Sequence, residues 1–206
     1  MIMSREKERT LIEWKPSGPT LLKARFNSKY TKLTVIVCYA PTEDAEEADK
    51  DAFYDQLQAV TDEVQTHDLV MVLGDLNARP GNNNIGRDRV MEKHGIGTIN
   101  DNGERLCHFC EENNMVIRGT LFQHRDIHKT TWTSPSVTIK SQIDHIRIKG
   151  KRRSSLQDVR AYRGADVTSD RNLLVAVLSL KLRRARRRQG RGHQFDSSKL
   201  TDKTRL

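Results

Sequence analysis

The sequence has only three cysteines among its 206 residues: Cys38, Cys107 and Cys110. Their odd number, with no signal peptide, argues against a secreted disulfide framework and predicts a reducing compartment. We therefore expect an intracellular protein, nuclear or cytoplasmic, that is not secreted. The sequence also lacks an apolar run long enough to span a bilayer, so we expect no membrane association.

The pair Cys107 and Cys110 has the C-x-x-C spacing found in zinc sites and redox motifs. A second ligand pair for zinc is lacking, and the two cysteines fall within a predicted helix beside Leu106 and Phe109. In that setting cysteine behaves as a small hydrophobic residue. Packing is therefore the favoured interpretation of the pair.

Positive charge is concentrated at the carboxyl end. The formal net charge is +9, which indicates a polyanionic partner. Residues 181–206 contain ten Lys or Arg and two Asp and carry +8, whereas the other 180 residues carry +1. The basic run within 181–191 has three interpretations: a nucleic-acid contact, a nuclear-localisation signal or a solvated linker.

Helical and strand patterns alternate along the chain, and there is no internal repeat. Apolar side chains at helical spacing predict a helix over residues 49–66, and residues 103–113 predict a shorter one. Apolar and β-branched stretches predict strands at 31–39, 69–73, 115–117, 130–133, 143–148 and 173–182. Residues 80–102 are rich in Gly and Asn and predict a long loop. This mixture of elements indicates an α+β fold.

The same patterns divide the chain into three parts. Residues 1–12 are polar and predict a disordered leader. Residues 13–183 hold all the predicted elements and form one domain, whose length is typical of a single core. Residues 184–206 predict a basic, disordered tail.

Polar side chains follow the predicted strand at 69–73. This strand ends in Gly74-Asp75-Leu76-Asn77, which places an acid and an amide at its carboxyl edge. Because residues i and i+2 of an extended chain point to the same side, we expect Asp75 and Asn77 to face one pocket. A carboxylate that activates water or holds a cation, beside an amide that donates to an oxyanion, suits phosphoester chemistry. The alternative is an ordinary Asx-type turn that leads to Pro80.

Two later acids favour the chemical interpretation. Asp144 alternates in phase with Ile146 and Ile148, and an acid on the apolar side of a strand is costly unless it is paired or binds something. Asp170 stands at the entrance of the strand predicted at 173–182. The sequence thus contains three acids at strand edges.

Five short motifs occur in a family-specific order. They are Cys38-Tyr39-Ala40-Pro41-Thr42, Gly74-Asp75-Leu76-Asn77-Ala78, Thr131-Trp132-Thr133-Ser134-Pro135, Ser141-Gln142-Ile143-Asp144-His145-Ile146 and Ser169-Asp170. Together they resemble the endonuclease/exonuclease/phosphatase superfamily. Within it, they most resemble the apurinic-type endonuclease domain of LINE retrotransposons of the RTE kind. The resemblance spans roughly residues 10–183 and implies a four-layer α/β/β/α sandwich with mixed sheets, a DNA substrate, and Mg²⁺ or Mn²⁺ as cofactor.

The resemblance also implies roles for single residues. Asp75 resembles the residue that orients or deprotonates the attacking water, and Asn77 resembles its partner in stabilising the pentacovalent phosphorane. Tyr39 resembles a tyrosine that contacts the scissile phosphate. Asp144 resembles an acid that helps to hold the site and its cation.

Two further matches come from the later motifs. Asp170 resembles an acid that pairs with a catalytic histidine, and Trp132 resembles an aromatic residue near the nucleic-acid groove. Each has a plainer alternative: Trp132 and Tyr39 could be core aromatics with a polar tip, and Asp170 could be a cap.

Two departures from the family predict impaired hydrolysis. This chain has Ser169-Asp170-Arg171 where the family has Ser-Asp-His, and arginine does not titrate near neutral pH. His145 is no replacement, because it follows Asp144 and should point to the opposite face. The family's N-terminal Asn and metal-binding Glu have no match here, so we expect an N-terminally incomplete fold.

These observations predict a retrotransposon-derived, Mg²⁺-dependent phosphodiesterase or endonuclease domain that acts on DNA but is catalytically impaired. Its metal site would be incomplete, with Asp144 and Asp170 as remaining ligands and the cation weakly bound if at all. The alternatives are a non-catalytic nucleic-acid-binding remnant and a relic without function. The sequence leaves the oligomeric state open.

Overall fold

A computed structural model describes residues 1–136, 138–163 and 169–180. Its centre is a six-stranded mixed sheet with the strand order β1-β2-β3-β4-β8-β5. These strands are β1 (Leu11–Pro16), β2 (Leu21–Phe26), β3 (Leu33–Tyr39), β4 (Leu69–Asp75), β5 (Met115–Ile117) and β8 (Asp144–Lys149). Only β3 and β4 pair in parallel; the other neighbours in this sheet are antiparallel.

Two helices cover one face of the central sheet. They are α2 (Glu47–Asp62) and α3 (Asp101–Glu112). Leu57 of α2 and Leu106 of α3 are fully buried against Ile36 and Val72, on the inward face of β3 and β4. Each Leu side chain buried in this way contributes about 1.5–3 kcal/mol. Cys107 and Cys110 are free thiols in this cluster, which confirms that they pack as hydrophobic residues.

The opposite face of the central sheet packs against a second, two-stranded sheet. Strand β9 (Leu156–Tyr162) pairs antiparallel with β10 (Leu173–Leu178). Leu156 and Val159 of β9 join Ile146 and Ile148 of β8 in one buried cluster. A short ribbon, β6 (Trp132–Thr133) and β7 (Lys140–Ser141), lies between β5 and β8 along the chain. The described layers are therefore helices, central sheet and second sheet, which confirms the α+β class with mixed pairing.

Several predicted elements are observed with shifted ends. Helix α2 begins two residues earlier than predicted and ends at Asp62, and α3 spans Asp101–Glu112. Strands β3, β4, β5 and β8 match their predictions within a few residues, and β10 ends at Leu178. Strands β1, β2 and β9 were not predicted, because charged residues interrupt their apolar residues.

The amino-terminal segment differs from the prediction of a disordered leader at 1–12. The short helix α1 (Arg5–Glu8) forms there, with Ser4 as its N-cap, and β1 already begins at Leu11. Backbone pairing of β1 with β2 orders this segment even though its side chains are mostly exposed. The basic run within 181–191 and the tail predicted at 184–206 lie outside the described residues.

Within the described part of the chain, none of the helices is both long and apolar enough to cross a membrane.

Candidate active site

Three side chains of the site lie in one row across the central sheet. Tyr39 is the register partner of Asp75 in the parallel β3–β4 ladder, and Asp75 is the partner of Asp144 in the antiparallel β4–β8 ladder. Residues paired in register point to the same side of a sheet. All three side chains therefore lie on one face of the sheet, at the carboxyl ends of β3 and β4. Asp75 is buried, Asp144 is partly buried and Tyr39 is 53% exposed. The exposure of Tyr39 rules out the interpretation of this residue as a core aromatic.

Gly74 allows β4 to reach this position. Its φ is +142°, a conformation that residues with a side chain rarely adopt. A Cβ at this position would lie 1.9 Å from the carbonyl oxygen of Cys38 on the neighbouring strand. Glycine is therefore required immediately before Asp75 for the two strands to stay paired.

The extended geometry behind the i, i+2 prediction for Asp75 and Asn77 does not hold, because β4 ends at Asp75. Asn77 has a φ of +48°, so the extended chain has already ended. Its Nδ2 donates to the carbonyl oxygen of Ala40 at 2.9 Å. Its backbone N–H donates to Asp75 Oδ1 at 2.9 Å, which is the Asx-type turn that the alternative interpretation predicted. Asp75 thus takes part both in this turn and in the pair that it forms with Asp144, which we call the acidic row.

Thr131 is hydrogen-bonded to the segments that carry Asp144 and Arg171. This role of Thr131 was not predicted from the sequence. The side chain is fully buried, and its Oγ1 accepts the backbone N–H groups of Ile143 and Asp144 at 3.0 and 3.2 Å. Its carbonyl oxygen accepts the N–H of Asn172 at 2.8 Å. This one threonine therefore fixes the start of β8 and the segment that carries Arg171. The only signal in the sequence is its place beside Trp132.

The guanidinium of Arg171 lies between the two acids of the row. Its Nη2 is 2.6 Å from Asp75 Oδ2, and its Nη1 is 3.4 Å from both carboxylate oxygens of Asp144. The Arg171 backbone is held by an N–H donated to Ser169 Oγ and by a bridge to Trp132. The sequence analysis identified Arg171 as a departure from the family but did not predict this double pairing.

Burial and the neighbouring charges shift the pKa values of the site. Burial raises the pKa of Asp144, and the negative charge of Asp75 raises it further. For Arg171, burial acts to lower the pKa, but the carboxylates of Asp75 and Asp144 outweigh it and hold the pKa above its ordinary value. The guanidinium therefore stays charged at every pH at which the protein would be studied.

Asp170 and Trp132 lie next to this row but pair with each other. Trp132 Nε1 donates to Asp170 Oδ2 at 2.7 Å, and the carbonyl oxygen of Asp170 accepts the N–H of Thr133. Trp132 is half-buried and Asp170 is exposed. The carboxylate of Asp170 thus orients an indole where the family pattern implies a histidine.

His145 and Arg147 lie on the opposite, helix-covered face, as the alternation along β8 predicts for His145. His145 is fully buried, and its Nε2 donates to the carbonyl oxygen of Ala78 at 2.8 Å, which ties down the chain after β4. Burial lowers the pKa of His145 to about 4. Arg147 is also fully buried and donates through Nε to the carbonyl oxygen of Val72. Neither residue reaches the acidic row.

The donor groups at this edge do not fit a divalent cation. Mg²⁺ needs several oxygen ligands at about 2.0–2.1 Å in octahedral geometry. Asp75 Oδ1 accepts the Asn77 N–H, whereas Asp75 Oδ2 has no hydrogen-bond donor in the described part of the chain but lies 2.6 Å from the Nη2 of Arg171, which also faces Asp144. Within the described ranges, no three Asp, Glu, His or Cys side chains are grouped as metal ligands would be. The two acids predicted as metal ligands, Asp144 and Asp170, contact Arg171 and Trp132 instead.

Comparison with solved structures defines the class of fold. A 3′ phosphatase named NExo from Neisseria, bound to a product DNA hairpin, superimposes with a TM-score of 0.58 at 16% identity and covers 82% of this chain and 72% of that chain. The endonuclease domain of TRAS1, a telomere-specific non-LTR retrotransposon, gives a TM-score of 0.56 at 15% identity, with coverages of 82% and 68%. At such low identity these matches establish the fold alone. The chain has the endonuclease/exonuclease/phosphatase fold, as its motifs predict.

Sequence comparison adds a closer relative. The chain is 36% identical over 183 residues to craniofacial development protein 2 of Bos taurus, a match that includes 89% of this chain. It spans about a third of the length of that relative, 31%. No family model matches the chain. The resemblance to the endonuclease/exonuclease/phosphatase superfamily inferred from the five motifs is confirmed, whereas the retrotransposon origin stays a prediction.

Proposed function

We propose that this chain is a DNA-binding domain derived from a retrotransposon endonuclease, in which phosphodiester hydrolysis is impaired. Its fold is shared with a phosphatase that is bound to a DNA hairpin and with a retrotransposon endonuclease domain. A DNA ligand is compatible with the nuclear or cytoplasmic location expected from the cysteines. The observation that carries the proposal is the position of Arg171 between Asp75 and Asp144.

Hydrolysis requires a base that can reach water. A general base must have an oxygen within hydrogen-bonding distance of the proton it takes. In Asp75, Oδ1 accepts the Asn77 N–H, and Oδ2 is ion-paired with Arg171 at 2.6 Å. Arg171 itself cannot exchange a proton near neutral pH, so it cannot replace a catalytic histidine. The first step of hydrolysis should therefore be slow.

Binding of a phosphate makes smaller demands on the same residues. A guanidinium has five N–H donors, and the side chain of Arg171 is 35% exposed, so donors remain for a phosphate oxygen at the edge of the site. The exposed Tyr39 lies on the same edge. The net charge of +9 would favour a polyanion, and we include the basic run within 181–191 in the proposed DNA contact.

A plasmid-nicking assay with Mg²⁺ tests the catalytic half of the proposal. Wild type and Asp75→Ala should both stay at background, because the carboxylate is already blocked. Nicking by the wild type that disappears in Asp75→Ala would show that the site is still a nuclease and would overturn the proposed impairment.

Fluorescence anisotropy with a labelled DNA duplex tests the binding half. Wild type should bind in a salt-dependent manner, and Arg171→Gln should bind more weakly, with a salt slope reduced by about one. The matched control is Arg89→Gln. Arg89 is exposed and lines an open cavity with Asp68 and Val70. This cavity lies at the amino end of β4, whereas Asp75 lies at its carboxyl end. A folded wild type that binds no DNA at low salt would instead indicate a relic.

A further inference from the structure

We infer that Arg171 is a built-in counter-cation for Asp75 and Asp144 and keeps divalent metal ions away from these two carboxylates. The inference rests on the proposed function only for the location of the site. It concerns the charge balance of the acidic row and would hold whether or not DNA binds there.

The acidic row needs a positive charge. Asp75 and Asp144 are direct cross-strand partners, and like charges in this position destabilise a sheet. Asp75 is buried, and the side chain of Asp144 is only 20% exposed, so water screens their repulsion poorly. Arg171 contacts both carboxylates at once and reduces the formal charge of the group from −2 to −1.

Arg171 is supplied by an anchored backbone. The preceding residue, Asp170, accepts the N–H of Thr133, and the following residue, Asn172, donates its N–H to Thr131 and its side-chain amide to Thr130. Both neighbours are thus tied to the segment that also holds Asp144. Backbone hydrogen bonds on both sides of Arg171 therefore fix the position of its guanidinium beside the two acids.

Arg171 and a divalent cation would compete for the same atoms. The ion would have to lie about 2 Å from Asp75 Oδ2. The Nη2 of Arg171 already lies 2.6 Å from that oxygen. A cation bound to the same oxygen would be close to the guanidinium, and the two positive charges would repel each other. Removal of the guanidinium would free Oδ2 and face it with the carboxylate of Asp144. Loss of one side chain should thus create a cation site.

The test is a titration with Mn²⁺, followed by the electron paramagnetic resonance signal of the free ion, in the absence of nucleic acid. Arg171→Met keeps the aliphatic stem and removes the charge, and Arg89→Met is the matched control. We expect Arg171→Met to bind Mn²⁺ about tenfold or more tightly than wild type and the control. The double variant Arg171→Met/Asp144→Asn should lose this gain. Circular dichroism establishes that the variants are folded.

Two results would overturn the inference: wild type that binds Mn²⁺ as tightly as Arg171→Met, or folded Arg171→Met that gains no binding. Wild type provides a second test if the variant does not fold. Addition of Mn²⁺ to ¹⁵N-labelled wild type should leave the amide signals of Asp75 and Asp144 sharp, and selective broadening of both would refute the exclusion of metal. Because DNA takes no part, failure of DNA binding and failure of metal exclusion are separate results.

Discussion

His145 should make the stability of the domain depend on pH between about 4 and 6.5. Its ring is completely buried beside the buried guanidinium of Arg147, and its Nε2 donates to the carbonyl oxygen of Ala78. Burial is the main cause of the low pKa, about 4 in the folded protein against 6.5 for an ordinary histidine, and the charge of Arg147 adds to it. The folded state therefore holds the ring neutral, whereas the unfolded chain can protonate it.

The sign and the size follow from this difference. Above pH 6.5 the ring is neutral in both states, and its contribution to stability is constant. As the pH falls from 6.5 towards 4, only the unfolded chain takes up the proton, so the free energy of unfolding decreases by about 1.4 kcal/mol per pH unit. The total loss is about 3 kcal/mol, and below pH 4 it stops growing because the folded state is protonated too.

Urea unfolding at a series of pH values measures this loss. His145→Gln is the comparison, because a glutamine amide can donate a hydrogen bond to Ala78 but cannot titrate. All other titrating groups are shared, so the difference between the two pH profiles isolates His145. The profile of the variant should be flatter by up to about 1.4 kcal/mol per unit between pH 4 and 6.5.

Parallel profiles for wild type and His145→Gln would refute the reasoning. Wild type alone offers a further check, since the ring signals of His145 can be followed by nuclear magnetic resonance as the pH is lowered. A folded protein in which this ring titrates near pH 6.5 would show that the buried ring is not held neutral.

Two other substitutions test the frame that supports the site. Gly74→Ala should lower the free energy of unfolding in urea by about 3–5 kcal/mol, since its Cβ would collide with the Cys38 carbonyl oxygen. Gly97→Ala is the control, because Gly97 has a positive φ but open space around it, and it should cost only about 1 kcal/mol. Equal losses in the two variants would show that the collision is not the cause. Asp68→Asn should also lower the free energy of unfolding in the same assay, because it leaves Arg25 without a partly buried ion pair of 2.7 and 3.1 Å. Burial opposes ionisation of Asp68, yet Arg25 holds the pKa of Asp68 below its usual range. The stability difference between wild type and Asp68→Asn should therefore disappear as the pH falls below about 4 and Asp68 becomes protonated. A stability difference that persists in acid would contradict the pairing.

The amino-acid sequence determined the elements whose apolar side chains form the core. The runs in β3 and β4 and the apolar spacing of α2 identify themselves because apolar burial controls their composition. The strands β1 and β9 escaped prediction because charged residues interrupt their apolar pattern and because they depend on pairing with a neighbour. Pairing between distant segments leaves little trace in either segment alone.

The same division applies to the site. The motifs selected Asp75, Asp144 and Arg171 as chemical residues, because acids beside apolar strands need a partner. Only the tertiary structure could show that the three satisfy one another, since 27 residues separate Asp144 from Arg171 and the contact depends on how the backbone near Thr131 is held. Likewise, the i, i+2 geometry does not apply to Asn77, because β4 ends at Asp75, and Asn77 has a positive φ and is hydrogen-bonded to Asp75 and Ala40. Sequence determined which groups are present, and long-range packing decided which of them meet.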